Sequence, residues 1–287
     1  MNDRRSALKD AAARLEAAGC SDARLDAEWM LAEAAGLPRL SLLLDLDAPL
    51  SDQEAARFSA YLARRAAGDP LQYVLGHTDF MGHEFRCDAR ALIPRGDTEP
   101  LCGAVIERAG ALKTPSVLEL GAGSGAVSVS VKLACPGACP GAAVTAADIS
   151  REALSLCREN AALHRTQVEW IESDWFTSLA GRSFDIIFSN PPYIPAGDLA
   201  ALQSEVRREP TLALDGGADG LDFYRRTLRE LPHHLRRGGS LLFEIGDGER
   251  DAVLALMDGH FTRLQTRCDW GNLPRVIIGD GYDGNAG

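Results

Sequence analysis

Two short segments hold residues whose types and spacing can do chemistry. ELGAGSGA (119–126) sets glycines at 121, 123 and 125, with Ala122 and Ser124 between them. Gly121 permits a tight turn, while Gly123 and Gly125 let backbone approach a ligand closely. A helix N-terminus directly behind such a loop supplies unpaired N–H groups and partial positive charge. That suits a cofactor carrying a carboxylate, a phosphate or a ribose. The pattern leaves the cofactor open, because Gly121, Gly123 and Ala126 also satisfy the dinucleotide fingerprint G-x-G-x-x-G/A. Asp148, ending the next apolar stretch, can take ribose hydroxyls in either case. A glycine-rich turn that binds nothing is the bland alternative, and a strand, a helix and an acid in that order argue against it.

The second segment, SNPPYIP (189–195), decides between cofactors. Pro191 and Pro192 hold φ near −65° and cannot donate hydrogen bonds, so the turn is stiff and offers carbonyl acceptors. The Asn190 side-chain oxygen is a further acceptor. Together two such acceptors can take both N–H bonds of a planar –NH₂ group, and Tyr193 supplies a flat face to stack on it. Those are the requirements for methylating an amide or an aromatic amine. The nitrogen lone pair is delocalised and weakly nucleophilic. Gripping both N–H bonds aims it at a methyl sulfonium and stabilises the charge that grows in the transition state. A dehydrogenase has no use for this arrangement.

These segments need a scaffold, and the periodicity supplies one. Residues 76–95 mix aromatic and β-branched residues with Gly76 and Gly82 and read as a β-hairpin linker. Residues 98–112 read as a helix. From 116 onward strands and helices alternate in the manner of a doubly wound α/β fold. Strands are expected at 116–121, 143–150, 168–174, 184–190 and 240–246, with two final antiparallel strands at FTRLQTRCD and RVIIGD, seven in all. The fourth strand should lie beside the first, which turns Asn190 toward the glycine loop at the carboxyl ends of parallel strands. A long helix with a glycine stop is expected over 220–239, kinked or shortened by Pro232.

Residues 1–75 have another texture: a bundle of about four helices without β-branched runs. Leu25, Trp29 and Ala32 mark a helix that Ser21 can cap, and Ser51 with Glu54 forms a capping box closed by Gly68. Trp29 and Tyr61 read as bundle core. The expected organisation is a helical substrate-docking domain (1–75), the linker (76–95) and a catalytic domain (96–287).

The sequence resembles the class I S-adenosylmethionine-dependent methyltransferases. Within them it is similar to the HemK/PrmC-type protein-glutamine N5-methyltransferases, which modify peptide chain release factors. The resemblance rests on DPLQYVLGHTDFMGHEF (69–85), ALIPRGDTE (91–99), VLELGAGSGAVSVSV (117–131), the Asp148 strand end, ESDWF (172–176), FDIIFSNPPYIP (184–195), EP..AL (209–214), GLDFYRR (220–226), GGSLLFEIG (238–246) and DWGNLPRVIIG (269–279). It implies a Rossmann-like seven-stranded fold and S-adenosyl-L-methionine as cofactor, with S-adenosyl-L-homocysteine as product and no metal. It implies that Gly121, Ala122, Gly123, Ser124 and Gly125 line the methionine and ribose parts and that Asp148 binds the ribose. Asp174 and Trp175 would flank the adenine. Asn190 would touch cofactor and substrate alike, with Pro191, Pro192 and Tyr193 completing the pocket for the glutamine of a Gly-Gly-Gln loop. Gly96 departs from the family's usual proline and should loosen the turn that presents Thr98 and Glu99.

Charge and composition exclude other classes. The 287 residues carry 30 basic and 41 acidic side chains, a net charge of −11. Residues 1–75 hold 9 basic and 12 acidic side chains, so neither part is basic. Direct nucleic-acid binding is therefore not expected, which counts against adenine-N6 methylation of DNA. Methylation of a ribosomal-protein glutamine is the nearer alternative. A regulatory module that only binds cofactor would need no NPPY beside an intact glycine loop. No apolar run reaches a membrane span, and the N-terminus has no signal-peptide core, so a cytoplasmic protein is expected. The seven cysteines give no disulfide framework; Cys135 and Cys139 in CPGACPG lack a second ligand pair for zinc and read as a loop. The six histidines show no ligand spacing. Arg207 and Arg208 read as a solvated face. Ser124 and Ser128 have no His/Asp partner to support a serine hydrolase.

Overall fold

The computed structural model describes residues 3–138 and 141–284, so Cys139 lies outside the described residues. The chain divides into two compact units. One comprises the described residues up to His77 together with Gln203–Arg208; the other comprises Thr78–Leu202 and Glu209 onward.

The first unit holds five helices: α1 (Arg4–Ala17), α2 (Ala23–Ala35), α3 (Arg39–Leu44), α4 (Asp52–Ala66) and α5 (Leu71–Leu75). Asp3 caps α1 by accepting from the Ser6 N–H at 2.7 Å. The Ser51–Glu54 capping box opens α4, with Glu54 reaching back to the Ser51 N–H at 2.8 Å. Ser21 does not cap α2: Asp22 holds that position without a side-chain cap bond, and Ser21 donates to its carboxylate instead. The buried face of α2 also differs from expectation. Ala23, Ala27, Met30, Leu31 and Ala34 point inward with the expected Ala32, while Leu25 and Trp29 are about two-fifths exposed. Small side chains let α2 lie close to its neighbours, so the bulkier pair is left outside, with the Arg39 guanidinium over the Trp29 ring. Tyr61 packs against the bundle core while remaining partly exposed.

An ion pair crosses this core. The Arg65 side chain, 3% exposed, donates to Asp26 at 2.8 Å, and its other nitrogen reaches Glu205. Burial raises the Asp26 carboxyl above its ordinary value even against this pairing. Removing the acid leaves a buried cation with one fewer partner. Asp26→Ala should therefore cost the chain about 3 kcal/mol, read as a lowered midpoint in urea unfolding followed by circular dichroism.

From Thr78 onward the second unit takes in a hairpin, β1 (His77–Phe80) and β2 (His83–Arg86). Met81 and Gly82 both take positive φ, the geometry of a tight hairpin turn. The hairpin is more than a linker. Phe80 and Phe85 are buried in the unit's core, and Glu99 accepts from the Met81 N–H at 2.9 Å. There follow α6 (Glu99–Gly110), β3 (Ser116–Leu120), α7 (Ala126–Ala138), β4 (Ala143–Asp148), α8 (Arg151–Leu163), β5 (Glu169–Glu172), β6 (Phe184–Ser189), α9 (Asp222–Glu230), β7 (Leu235–Glu244), α10 (Arg250–Met257), β8 (Phe261–Cys268) and β9 (Pro274–Tyr282). Cys135, expected in a loop, is buried within α7.

The seven-stranded sheet has the order β5-β4-β3-β6-β7-β9-β8. The first five strands are parallel, and β9 enters antiparallel between β7 and β8. In β6, Ile186 and Phe188 face one apolar layer while Phe184 and Ile187 face the other, which is why that strand reads as one apolar run. The long helix expected over 220–239 ends at Glu230. Pro232 sits in a short 3₁₀ turn, and Leu235–Glu244 is already strand. Arg236–Gly239 form a bulge, because Phe184 pairs with Leu235 and Ile186 with Ser240. A side chain at Gly239 would collide with the Asp185 carbonyl, so the glycines serve the bulge and not a helix end. No helix among the described residues is long and apolar enough to cross a membrane.

Candidate active site

The chain leaves β3 for β4 on one side and returns to β6 on the other. At that switch the carboxyl ends of adjacent strands diverge and open a crevice. A cavity of about 260 Å³ lies there, walled by Gly121–Ser124, Asp148–Ser150, Trp175, Asn190, Pro192 and Thr98 among others.

The glycine loop follows β3. Gly121, Gly123 and Gly125 all have positive φ, between 55° and 79°. The N–H groups of Gly121 and Ala122 donate to the Ala147 carbonyl, which ties the loop to β4. Gly123 donates to one oxygen of Asp148 and Ser150 to the other, both at 2.8 Å. Burial pushes the Asp148 carboxyl up, and these two N–H groups work against that push. A carboxylate so held keeps lone pairs for further donors. Behind the loop, the fully buried Asn160 donates to the Ser124 carbonyl at 3.0 Å and exchanges bonds with the Arg86 backbone, joining loop to hairpin.

Gly125 stands apart from its neighbours. It is not in the cavity wall, and a side chain there would meet Trp170 at 2.9 Å and Cys157 at 3.1 Å. Its role is close packing of α7 on the elements around it. Glu119, at the cavity floor, is fully buried, and burial raises its carboxyl to about 8. Ser128 donates to it, which gives that serine a structural partner.

On the facing side, Asn190 donates through Nδ2 to the Thr98 hydroxyl at 3.2 Å. Its Oδ1 is buried and has no hydrogen-bond partner among the described residues. Pro192 reaches the cavity wall; Pro191 and Tyr193 do not. The Tyr193 segment instead packs on three glycines. A side chain at Gly216 or Gly220 would strike its backbone, and one at Gly246 would strike its ring. Burial, with the Glu244 carboxylate nearby, raises the Tyr193 hydroxyl to about 12. Sequence reasoning did not see these glycines, whose only signal is a clash that appears once the loops meet.

Trp175 lines the cavity in an unusual backbone conformation, φ 54°, with its ring 4.7 Å from that of Phe223 and the Arg226 guanidinium 4.0 Å from its ring centre. Its indole Nε1 is buried without a partner among the described residues. Asp174 does not join it, because its carboxylate turns to Arg226 at 2.8 Å. Gly96 opens a 3₁₀ turn (Gly96–Thr98) that buries Thr98 beside Asn190. Glu209, part of the EP..AL match, has a role that the sequence did not assign. Its side chain is 1% exposed, accepts from the Ile93 N–H at 2.9 Å and pairs with Arg95, fastening the loop at 93–95 that walls the cavity. Arg207 and Arg208 are exposed, as expected, and Arg208 also donates to the Ala67 carbonyl at 2.8 Å within the first unit.

Comparison with known proteins agrees with this geometry. Residues 6–76 match the PrmC N-terminal domain and residues 104–207 the methyltransferase small domain. The release factor glutamine methyltransferase of Geobacter sulfurreducens is 40% identical over 263 residues, covering 91% of this chain and 90% of that protein. That of Moorella thermoacetica is 40% identical over 278 residues, covering 96% and 97%. The chain belongs to the release factor glutamine methyltransferase family. It is thus a methyltransferase with the class I fold. A solved methyltransferase from Pyrococcus furiosus shares that fold at a TM-score of 0.52 and 17% identity, over 79% of this chain and 99% of that one.

The packing glycine and the turn glycine should respond oppositely to a methyl group. Gly125→Ala should lose about 1–3 kcal/mol of stability in denaturant unfolding, through overpacking and strain at positive φ. Gly96→Ala has open space and an ordinary φ, so it should leave stability unchanged or raise it by up to about 1 kcal/mol.

Proposed function

We propose that this methyltransferase uses S-adenosyl-L-methionine to methylate the side-chain amide nitrogen of the glutamine in the Gly-Gly-Gln motif of peptide chain release factors. The observation that carries the reading is the Asn190 oxygen, a buried acceptor without a donor, placed at the cavity between the glycine loop and the NPPY turn.

The residues present fit the cofactor. Asp148 can accept from a vicinal diol, the Gly121–Ser124 backbone suits the amino-acid end, and Trp175 offers both a flat face and an unpartnered N–H. When bound, S-adenosylmethionine supplies an electrophilic methyl group on its sulfonium. The protein's part is to hold the substrate. An incoming primary amide has two N–H donors, and Asn190 Oδ1 takes one; a carbonyl of the proline turn is assigned the other. Pro192 borders the cavity, while Pro191 and Tyr193 hold the turn from behind. Fixing both N–H bonds lowers the entropic barrier to attack and favours the charge that develops on nitrogen. Names of close relatives support release factors as the partner, and the acidic chain disfavours nucleic acid. We assign the reaction to the cytoplasm, in keeping with the free thiols found at Cys20, Cys87, Cys102, Cys135, Cys157 and Cys268.

Labelled methyl groups should pass from S-adenosylmethionine to a release factor, and replacing the glutamine of its Gly-Gly-Gln motif should abolish transfer. Label appearing in DNA or in a ribosomal protein instead would overturn the assignment. Asn190→Ala should keep cofactor affinity within about tenfold, roughly 1.4 kcal/mol, while losing most turnover. An equal loss of both would make Asn190 chiefly a cofactor ligand.

A further inference from the structure

The turn between β8 and β9 is tied to itself and yet holds an indole out in water. Asp269 anchors it with a carboxylate only 4% exposed. One oxygen accepts from the Gly271 N–H at 2.8 Å and the Leu273 N–H at 3.0 Å. The other accepts from Arg275 Nε at 3.1 Å and Nη2 at 3.0 Å. The Asp269 N–H donates to the Leu273 carbonyl at 2.9 Å, and the Asn272 N–H to the Asp269 carbonyl at 3.0 Å. Asn272 takes φ 62° to close the turn. Between these anchored residues Trp270 is 84% exposed, with Leu273 about half exposed beside it. Exposure alone says little, but position says more.

The sheet register gives that position. Ser189 lies opposite Phe243 and Phe243 opposite Ile277, so β6, β7 and β9 run level. β9 is antiparallel to β7, so its first residues stand at the edge where β6 releases the NPPY turn. Two strand spacings, about 10 Å, separate β6 from β9. The Arg275 guanidinium joins the two sides. Besides Asp269 it reaches Asp97 at 3.9 Å, and Asp97 precedes the Thr98 that holds Asn190 in the cavity wall. The Ile245 N–H donates to the Arg275 carbonyl at 2.9 Å, which fixes the start of β9. Trp270 therefore stands on the Asn190 side of the cavity without lining it.

A glutamine whose amide meets Asn190 carries its neighbours past this turn. A chain spans at most about 3.5 Å per residue, so two or three residues cover the distance from β6 to β9. In Gly-Gly-Gln the residues before the glutamine are glycines. Without Cβ atoms, their peptide planes can lie flat on an aromatic ring at a separation that a side chain would prevent. A turn already fixed, bearing a side chain with two rotatable bonds, loses little entropy on receiving them. We propose that Trp270 is a specificity-determining residue whose indole face receives the bare backbone of the two glycines preceding the target glutamine. The inference rests on the substrate assigned above. It gives the enzyme a selection for glycine beside glutamine that the NPPY turn, gripping only the amide, does not supply.

The test is steady-state methylation of a full-length release factor, alongside the same factor carrying Gly-Ala-Gln. Trp270→Ala should leave the unfolding midpoint, kcat and cofactor KM unchanged and raise KM for the Gly-Gly-Gln factor about tenfold. Trp270→Phe should recover most of that loss. With the Gly-Ala-Gln factor, a poorer substrate of the wild type, Trp270→Ala should add less than about twofold, because the contact is already gone. An unchanged KM in Trp270→Ala would overturn the proposal. So would an equal rise with both factors, which would set Trp270 against another part of the partner. A second readout needs no turnover: the ¹⁵N indole resonance of Trp270, assigned by its loss in Trp270→Ala and followed with S-adenosylhomocysteine bound. It should shift on adding the Gly-Gly-Gln factor and much less on adding the Gly-Ala-Gln factor. A shift without methyl transfer would sink the substrate assignment and support the docking. Transfer without a shift would sink the docking alone, and neither shift nor transfer would sink both.

Discussion

The parallel pairing of β3 with β6 is the constraint on which the site depends. Val117 lies opposite Ile186 and Glu119 opposite Phe188, so the strands end level and release their loops side by side. One loop is rich in glycine and gives close backbone approach; the other is rich in proline and gives stiffness. Neither would make a site alone. A slip of one residue in this register would turn Glu119 and Phe188 to opposite layers and separate the two loops. Burial on both faces of β6 makes such a slip costly, so the apolar core and the site geometry share one cause.

Around that junction the protein spends buried polar groups on position. Asn160 joins the glycine loop to the hairpin, Glu209 fastens the loop at 93–95, and Thr98 holds Asn190. Each is a buried polar residue whose bonds run to backbone or to another side chain far away in sequence. Such groups are expensive to bury unless they are paired, so their pairing fixes the loops they touch. Of the buried side-chain atoms without partners among the described residues, Asn190 Oδ1 and Trp175 Nε1 lie on residues of the cavity wall.

How much was legible follows from how local each signal is. The glycine loop, NPPY, the order of strands and helices, and the Ser51–Glu54 cap are written in consecutive residues, and their chemistry can be read there. The Asn160, Glu209 and Thr98 contacts join residues 74, 116 and 92 positions apart, which no spacing rule connects. The α2 face was misread because alanine carries little hydrophobic signal, whereas leucine and tryptophan carry much, and close helix packing selects for the former. Arg236–Gly239 looked like a helix stop because glycine also marks bulges, and only the pairing with β6 separates the two. Asp174 follows the same logic: an acid beside an expected aromatic wall was claimed by Arg226 on α9.

The membership of Gln203–Arg208 in the helical unit has a consequence for how this protein can be divided. Glu205 reaches the buried Arg65, so the bundle's internal charge balance is completed by residues encoded more than a hundred positions later. A fragment cut after residue 77 would fold without that carboxylate, and a catalytic fragment starting there would carry six residues belonging elsewhere. Exchanging the helical module between relatives therefore requires two grafts, not one. In this chain recombination at a single junction would transplant an unfinished part.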